Sequence, residues 1–309
     1  MAFDDVQLIP VNGYGPEDVV VDGLGRVYTG LADGRIIRLS DEGRRIDLVA
    51  DTGGRPLGIE LFGDDELLVC DAERGVLVVS LGAGTVRTLV AEVAGAPMLF
   101  CNNAAVGRDG TVYFSDTSTR FPITRWRDDL IEQTGTGRLF RRSPNGTIDL
   151  LADSLHFANG VALVPDESCV VVAETSALRL RRIWLTGERA GTNDVFLGDL
   201  RGFPDNISTG SDGLIWVAQA SPKVAALDRV RRLPALLRSV VRSLPDWAQP
   251  SPARSCGVLA VSARGEIMHD MGGEIDGFHL LTGVRECAGR LYFGSLQEGC
   301  VATTAAPGT

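Results

Sequence analysis

Residues 161–184 read VALVPDESCVVVAETSALRLRRIW and contain three short apolar runs, at 161–163, 169–173 and 180–184. Short runs of β-branched and aromatic residues that are broken by turn residues are typical of antiparallel strands joined as hairpins. The stretch therefore predicts a strand, a turn, a second strand, a turn and a third strand.

The same theme recurs along the chain, and its repetition predicts the fold. Six units open at Glu17, Leu57, Asn102, Asn159, Asp205 and Thr282, with spacings of 40, 45, 57, 46 and 77 residues. A period near 40 to 50 residues with about four strands per unit indicates a β-propeller. We predict an all-β, six-bladed β-propeller that forms one domain over residues 1–309. A strand near residues 6–10 is expected to complete the last blade.

Two segments interrupt this period and are predicted insertions. Residues 118–136 lengthen the third blade, and residues 224–252 are placed between blades five and six. The second segment has apolar residues at helical spacing with arginines between them, which predicts a helical insertion. Such a basic amphipathic helix can bind a membrane, but packing over the domain is our preferred interpretation. Both insertions are predicted lids over a pocket, and no membrane contact is expected.

Composition excludes several classes of function. The 309 residues carry a formal net charge of −10, whereas nucleic-acid binding requires a basic face. The six cysteines form no CxxC pair, so we expect buried free thiols in a reducing compartment. The acidic N-terminus does not resemble a signal peptide. These features predict a cytoplasmic protein and indicate nothing about its oligomeric state.

Four stretches each offer an oxygen ligand just before a predicted strand. They are 15–17, 101–103, 157–160 and 203–206, and their ligands are Glu17, Asn102, Asn159 and Asp205. The first strands of all blades line the central channel and run in one direction, so residues that precede them meet at one mouth. The arrangement predicts a metal ion held by these four residues. The alternative that they only cap strand starts is left open by spacing alone.

The runs FANGVAL (157–163), VAET (172–175), GFPDNI (202–207), GPED (15–18) and VYFSDTS (112–118) carry a resemblance to a known family. They resemble the strictosidine synthase-like proteins, in the same order and over nearly the whole chain. That group belongs with the gluconolactonase/SMP-30 and paraoxonase enzymes, six-bladed propellers that use calcium to open lactones and esters. The resemblance implies metal ligands at Glu17, Asn102, Asn159 and Asp205, with Asn206 as a candidate fifth ligand.

Two positions depart from the pattern of this group. Strictosidine synthase uses a glutamate before the first strand of blade six as the base of a condensation, and Thr282 stands there in this chain. A threonine cannot be that base at neutral pH. Paraoxonases carry a histidine where this chain has Leu57. Neither mechanism is therefore expected here.

The candidate ligands indicate the metal and the chemistry. Two carboxylates and two amides suit Ca²⁺, although another divalent cation remains open; without His or Cys among them, zinc fits poorly. An open position on the ion can polarise a carbonyl. Asp205 is the candidate general base, and His156 and His279 are expected near the mouth as further catalytic candidates.

We predict a calcium-dependent hydrolase of the lactonase or arylesterase type, with a small lactone or ester as substrate. The chain contains no Gly-x-Ser-x-Gly motif, so a serine hydrolase is not expected. Two alternatives remain: a biosynthetic cyclisation or condensation at the same metal site, and a propeller that only binds a ligand.

Overall fold

The computed structural model describes residues 1–308 and confirms the six-bladed β-propeller. Six four-stranded antiparallel sheets surround one axis, and the first strand of each sheet packs against the first strands of its two neighbours. Six apolar clusters fill the spaces between neighbouring blades. A blade alone would expose both faces of its sheet, and the ring buries them.

The first three blades are consecutive along the chain. Their strands are β2 (Val19–Val21), β3 (Val27–Gly30), β4 (Arg35–Ser40) and β5 (Arg45–Asp51); β6 (Pro56–Phe62), β7 (Glu66–Asp71), β8 (Gly75–Ser80) and β9 (Val86–Val90); and β12 (Cys101–Val106), β13 (Val112–Asp116), β14 (Gly137–Arg142) and β15 (Ile148–Leu155). A two-strand hairpin, β10 (Glu92–Val93) and β11 (Ala96–Pro97), lies between blades two and three.

The remaining blades follow the same order, and the last recruits the N-terminus. Their strands are β16 (Ala158–Leu163), β17 (Cys169–Glu174), β18 (Arg179–Trp184) and β19 (Asn193–Leu197); β20 (Gly202–Thr209), β21 (Ile215–Pro222), β22 (Cys256–Val261) and β23 (Ile267–Gly273); and β24 (Leu281–Cys287), β25 (Arg290–Ser295), β26 (Cys300–Ala305) and β1 (Gln7–Pro10). The pairing of β1 with β26 confirms the predicted closure of the ring.

Asp-Gly turns join strands one and two where the sequence predicts hairpins. The Asp109 carboxylate accepts a hydrogen bond from the Thr111 N–H at 2.9 Å, and Asp212 does the same for Leu214. The following glycines, Gly110 and Gly213, have φ values of +82° and +78°. These angles favour glycine, so the residue pair determines the turn.

Residues 1–308 contain three α-helices, α1 (Trp126–Glu132), α2 (Ala225–Arg231) and α3 (Ala235–Arg242). α1 connects β13 to β14 within blade three, as predicted. α2 and α3 connect β21 to β22, so the helical insertion lies inside blade five. Its predicted place between blades five and six was wrong, because β22 and β23 follow the insertion and complete the fifth sheet. No helix in residues 1–308 is long and apolar enough to cross a bilayer.

The first strands approach one another most closely where their register shifts. Between the pairs Cys101–Asp116 and Ala104–Phe114, two residues of β12 oppose one residue of β13. The same shift occurs at the start of β6, β16, β20 and β24. Such β-bulges turn side chains out of the regular alternation. The unit-opening residues 57, 102, 159, 205 and 282 all lie in these bulges, inside the strands and not before them.

In blades two and four, glycine follows the residue that opens the unit, at a place where neighbouring backbones touch. A Cβ on Gly160 would lie 2.2 Å from the Ile207 nitrogen, and one on Gly58 would lie 2.7 Å from the Asn103 Cα. Neither glycine has a left-handed φ. The requirement here is therefore space at the axis and not backbone freedom.

Gly160→Ala should destabilise the protein by about 3 kcal/mol or more, because the backbone of the next blade cannot move aside cheaply. Denaturant unfolding measures the change. Gly23→Ala is the matched control, since nothing lies within 4 Å of its added Cβ. Equal stability of the two variants would contradict the close packing of the axis.

Candidate functional site

One cavity lies at the mouth where the first strands begin. Glu17, Asn102, Asn159 and Asp205 all line it. The cavity contains about 820 Å³ of space between atoms, including solvent at its opening. The side chains of four different blades thus meet at its floor, although they are spread over 189 positions of sequence.

The rest of the cavity is largely apolar. Its floor is completed by Leu57, Phe100, Phe157, Phe203, Leu280 and Leu296, and the two insertions supply Ile123, Trp126, Leu130, Ile131, Val224 and Leu227. Many of these residues form one apolar cluster that joins the floor to α1 and α2. The helices therefore cover the mouth, and a ligand in the cavity is shielded from much of the solvent.

Two threonines orient the asparagines in the same way. Asn102 Nδ2 donates to Thr117 Oγ1 at 2.9 Å, and that hydroxyl donates to the Ala158 carbonyl at 2.7 Å. In the next blade, Asn159 Nδ2 donates to Thr175 Oγ1 at 3.1 Å, and this hydroxyl donates to the Pro204 carbonyl at 2.6 Å. Each amide nitrogen is thereby tied to a threonine that directly follows the second strand of the same blade.

The oxygens of both amides have no hydrogen-bond partner among the described residues. Asn102 Oδ1 and Asn159 Oδ1 are both buried and unpaired. A buried polar atom without a partner costs free energy, on the order of 1–3 kcal/mol. Two such oxygens beside two carboxylates therefore point to a missing electropositive partner.

Glu17 is held by a residue of the fifth blade. Asn206 Nδ2 donates to both carboxylate oxygens of Glu17 at 3.0 Å. The Thr282 hydroxyl donates to the Glu17 carbonyl at 2.8 Å. Asn206 does not contribute to the described lining of the cavity. It therefore lies behind Glu17 and orients it, and its own Oδ1 is also unpaired.

The two carboxylates of the floor have raised pKa values. Burial, followed by the neighbouring charges of Asp205 and Asp18, raises the pKa of Glu17 well above its usual range. Burial raises the pKa of Asp205 to about 7, and the Asn159 side chain partly opposes this by hydrogen bonding. Asp205 is half-buried and lines the cavity. The floor therefore disfavours two uncompensated negative charges.

These features fit a hard divalent cation. Carboxylate and amide oxygens are the ligands that Ca²⁺ takes, in numbers and geometries that vary. No group of three or more His, Cys, Asp or Glu side chains within residues 1–308 is placed to hold a metal. A cation at this floor would thus depend on Asn102 and Asn159 as much as on Glu17 and Asp205.

Neither candidate histidine is part of the described cavity lining. The His156 N–H donates to Glu174 Oε1 at 3.0 Å, and the His279 N–H donates to Glu298 Oε1 at 3.1 Å. In both blades, a carboxylate at or just after the end of the second strand accepts a hydrogen bond from a backbone N–H that precedes the first strand. The His279 ring also pairs with Glu298. Both histidines are therefore placed by a backbone feature of the blade, and the predicted catalytic role draws no support from their position.

Sequence reasoning missed the side chains that hold the site together. Asp18 and Asn103, which directly follow two of the ligands, meet at the axis, where Asn103 Nδ2 donates to Asp18 Oδ2 at 3.2 Å. The signal was the repeat Asp116-Thr117-Ser118 and Glu174-Thr175-Ser176 after the second strands of adjacent blades. An acidic-Thr-Ser run at corresponding places predicts corresponding roles.

Comparison with protein families identifies related sequences. Residues 102–188 match the family described as strictosidine synthase, and residues 2–39 match strictosidine synthase-like, N-terminal. The chain is 32% identical to strictosidine synthase-like protein 10 of Arabidopsis thaliana, over 95% of this chain and 86% of that protein. It is also 32% identical to the adipocyte plasma membrane-associated protein of Danio rerio, over 92% of this chain and 74% of that protein.

Solved structures share the fold at low sequence identity. A gluconolactonase from Xanthomonas campestris superposes with a TM-score of 0.70 and 16% identity, covering 99% of this chain and 91% of its own. Regucalcin from Agrobacterium tumefaciens, described as a calcium-binding protein, gives a TM-score of 0.67 and 14% identity, covering 98% and 94%. At this identity the likeness shows the propeller alone.

The charge of the floor predicts how stability depends on pH in the presence of a chelator. The pKa of Asp205 in the folded protein, about 7, lies above its ordinary value of 3.8, so the folded state holds a proton that the unfolded chain releases. This stabilisation is complete below pH 4 and is lost as pH rises through 7. The free energy of unfolding should fall by about 2 kcal/mol between pH 5.5 and 8 from Asp205 alone.

Unfolding curves across that range measure the effect, because ordinary carboxylates are already ionised there. Asp205→Asn should reduce the slope of unfolding free energy against pH, and the remaining slope should come from Glu17 and Asp18. Asp33→Asn changes an exposed side chain and should not alter the slope. A slope that is the same in all three proteins would show that Asp205 does not carry the shift.

Proposed function

The chain belongs to the strictosidine synthase-like family, and on that premise we propose that it is a calcium-dependent hydrolase of apolar lactones or esters. The observation that carries the proposal is the floor of the mouth cavity, where two carboxylates lie beside two unpaired amide oxygens. The gluconolactonase and the calcium-binding regucalcin among the fold neighbours support this choice of chemistry and ion.

Glu17, Asn102, Asn159 and Asp205 would hold the ion. When bound, Ca²⁺ supplies a positive charge that polarises a substrate carbonyl and stabilises negative charge on its oxygen. The protein contributes the orientation of the ligands. Thr117 and Thr175 turn the two amide oxygens toward the floor, and Asn206 aligns the Glu17 carboxylate.

The apolar walls select the substrate. Phe100, Phe157 and Phe203 border the floor, and Trp126 and Leu227 approach from the insertions. Such a surface favours a lactone or ester with an alkyl or aryl group, which gains free energy by leaving water. The described lining offers few hydrogen-bonding groups for a polyhydroxylated sugar lactone.

Asp205 is the residue to which we assign proton transfer. Among the four ligands, it alone keeps more than a marginal part of its surface open to the cavity. Its carboxylate can accept the proton from water as the water attacks the ester carbon. Thr282 lines the same cavity, but its hydroxyl donates to the Glu17 carbonyl. Thr282 therefore supplies no base at the position where strictosidine synthase carries its glutamate. The absence of a base at this position favours hydrolysis over a condensation.

A calcium-dependent assay tests the proposal. Chelated protein should show little turnover of alkyl lactones and aryl esters, and added Ca²⁺ should restore it. Asp205→Asn and Asn159→Ala should each lower kcat/KM by about 100-fold or more, because the first removes the proposed proton acceptor and the second removes a proposed ligand of the ion. Calorimetric titration with Ca²⁺ measures ion binding separately.

The controls are Asp149→Asn and Asn193→Ala, which lie on outer strands at partly or fully exposed positions and should retain activity and ion binding. Ca²⁺ binding without turnover of any lactone or ester would reject hydrolysis while leaving the ion site in place. Absence of Ca²⁺ binding would reject both.

A further inference from the structure

The outer helix of the lid, α3, packs Val241 inward but exposes its other large apolar side chains. Soluble helices bury an apolar stripe and expose charges. In α3 the inward side carries Arg238 and Arg242, which pair with Glu132 of α1 at 3.1 and 2.9 Å. The outward side carries Leu236, Leu237 and Val240, which are 83%, 50% and 58% exposed.

The chain after α3 extends the same apolar surface. Leu244 lies one turn beyond Val240, and Trp247 is 86% exposed. Gln249 Nε2 donates to the Leu244 carbonyl at 2.8 Å, which folds the segment around Trp247 back onto the end of the helix. We define the lid patch as Leu236, Leu237, Val240, Leu244 and Trp247. Contiguous exposed apolar residues of this kind mark an interaction surface.

The insertion that carries the lid patch is basic in an acidic protein. Residues 223–254 contain seven Lys or Arg against two Asp or Glu, a net charge of +5, whereas the whole chain carries −10. Three of these cations, Arg231, Arg238 and Arg242, serve internal ion pairs. The other four, Lys223, Arg229, Arg232 and Arg254, are exposed. The insertion that carries the lid patch thus has exposed positive charge.

We propose that the lid patch docks on the surface of an anionic lipid bilayer. An amphipathic helix binds in the interface plane when its apolar side enters the headgroup boundary and neighbouring cations meet anionic lipids. Exposed tryptophan is favoured at that depth. A second copy of the chain is a poorer occupant, because a symmetric contact would bring the two sets of exposed cations together.

Docking in this way changes how the cavity is reached. The same insertion provides Val224, Leu227 and residues 250–252 of the cavity lining, so the mouth opens beside the lipid surface. Apolar molecules dissolved in the bilayer would then enter without crossing bulk water. The sequence favours packing of this insertion over the domain. α3 does pack on α1, and Leu236, Leu237 and Val240 face outward as well.

Vesicle flotation of the chain of residues 1–309 tests the proposal. The protein should bind vesicles with about 30% phosphatidylglycerol at least about tenfold more tightly than pure phosphatidylcholine vesicles, and added salt should weaken the binding. The triple variant Leu236→Gln, Val240→Gln, Trp247→Gln should lose at least about tenfold in affinity. Arg229→Gln with Arg232→Gln should weaken binding to the anionic vesicles only.

A matched control replaces three exposed apolar residues on the outermost strands of other blades. Leu48→Gln, Leu150→Gln and Val195→Gln remove side chains that are 64%, 52% and 51% exposed, and this variant should bind vesicles like the wild type. In addition, vesicles made with brominated lipids should quench the fluorescence of Trp247. This contribution is the difference between the tryptophan fluorescence of the wild type and that of Trp247→Phe.

Several results would overturn the proposal. These are absence of vesicle binding, equal binding to neutral and anionic vesicles, or unchanged binding by the lid-patch variant. Light scattering provides a further contradicting result. If the wild type is a dimer that does not bind vesicles, and the lid-patch variant is a monomer, the surface binds a second copy of the chain. None of these readouts depends on hydrolytic activity, so they are independent of the proposed reaction.

Discussion

The close approach of six first strands around one axis is the constraint on which the rest of this protein depends. At the axis there is room for backbone and for small or hydrogen-bonded side chains only. Asp18 Oδ2 accepts hydrogen bonds from the Ile59 N–H at 3.3 Å and from Asn103 Nδ2 at 3.2 Å. Asn103 Oδ1 accepts one from the Val161 N–H at 2.9 Å. Two side chains thereby tie four blades together. Buried polar groups need such partners, because unpaired ones are costly.

The same axis carries charges that balance one another below the cavity. Arg285 of the last blade donates to Glu60 at 2.6 Å and lies near Asp18. Burial raises the pKa of Asp18 to about 7, and the Arg285 charge opposes that rise. Buried ion pairs contribute little net stability, since desolvation offsets their attraction. Their position matters more here: Glu60 and Arg285 line a second cavity, separate from the cavity that Glu17 and Asp205 line.

The lid depends on the blades for its position and on its own ion pairs for its shape. Both insertions connect second and third strands, and that connection opens at the mouth in every blade. Glu132 of α1 pairs with two arginines of α3, and the Arg231 Nε donates to the Leu130 carbonyl at 2.9 Å. Insertions from blades three and five thus form one cover. Arg238 and Arg242 of α3 are used inward, whereas Leu236, Leu237 and Val240 face outward.

Much of this protein could be predicted from the sequence. The six units, the strand that closes the ring and the approach of Glu17, Asn102, Asn159 and Asp205 to one mouth follow from local turn chemistry and from the period of the repeat. Local patterns could not place the insertion after Pro222, because a helical segment inside a blade and one between blades look alike until the later strands pair. Likewise, His156 and His279 have the right sequence spacing, but a backbone hydrogen bond determines where they lie. The bulges, the threonines behind the asparagines and the outward apolar side of α3 belong to the tertiary structure alone, because each depends on which distant backbone or helix lies opposite.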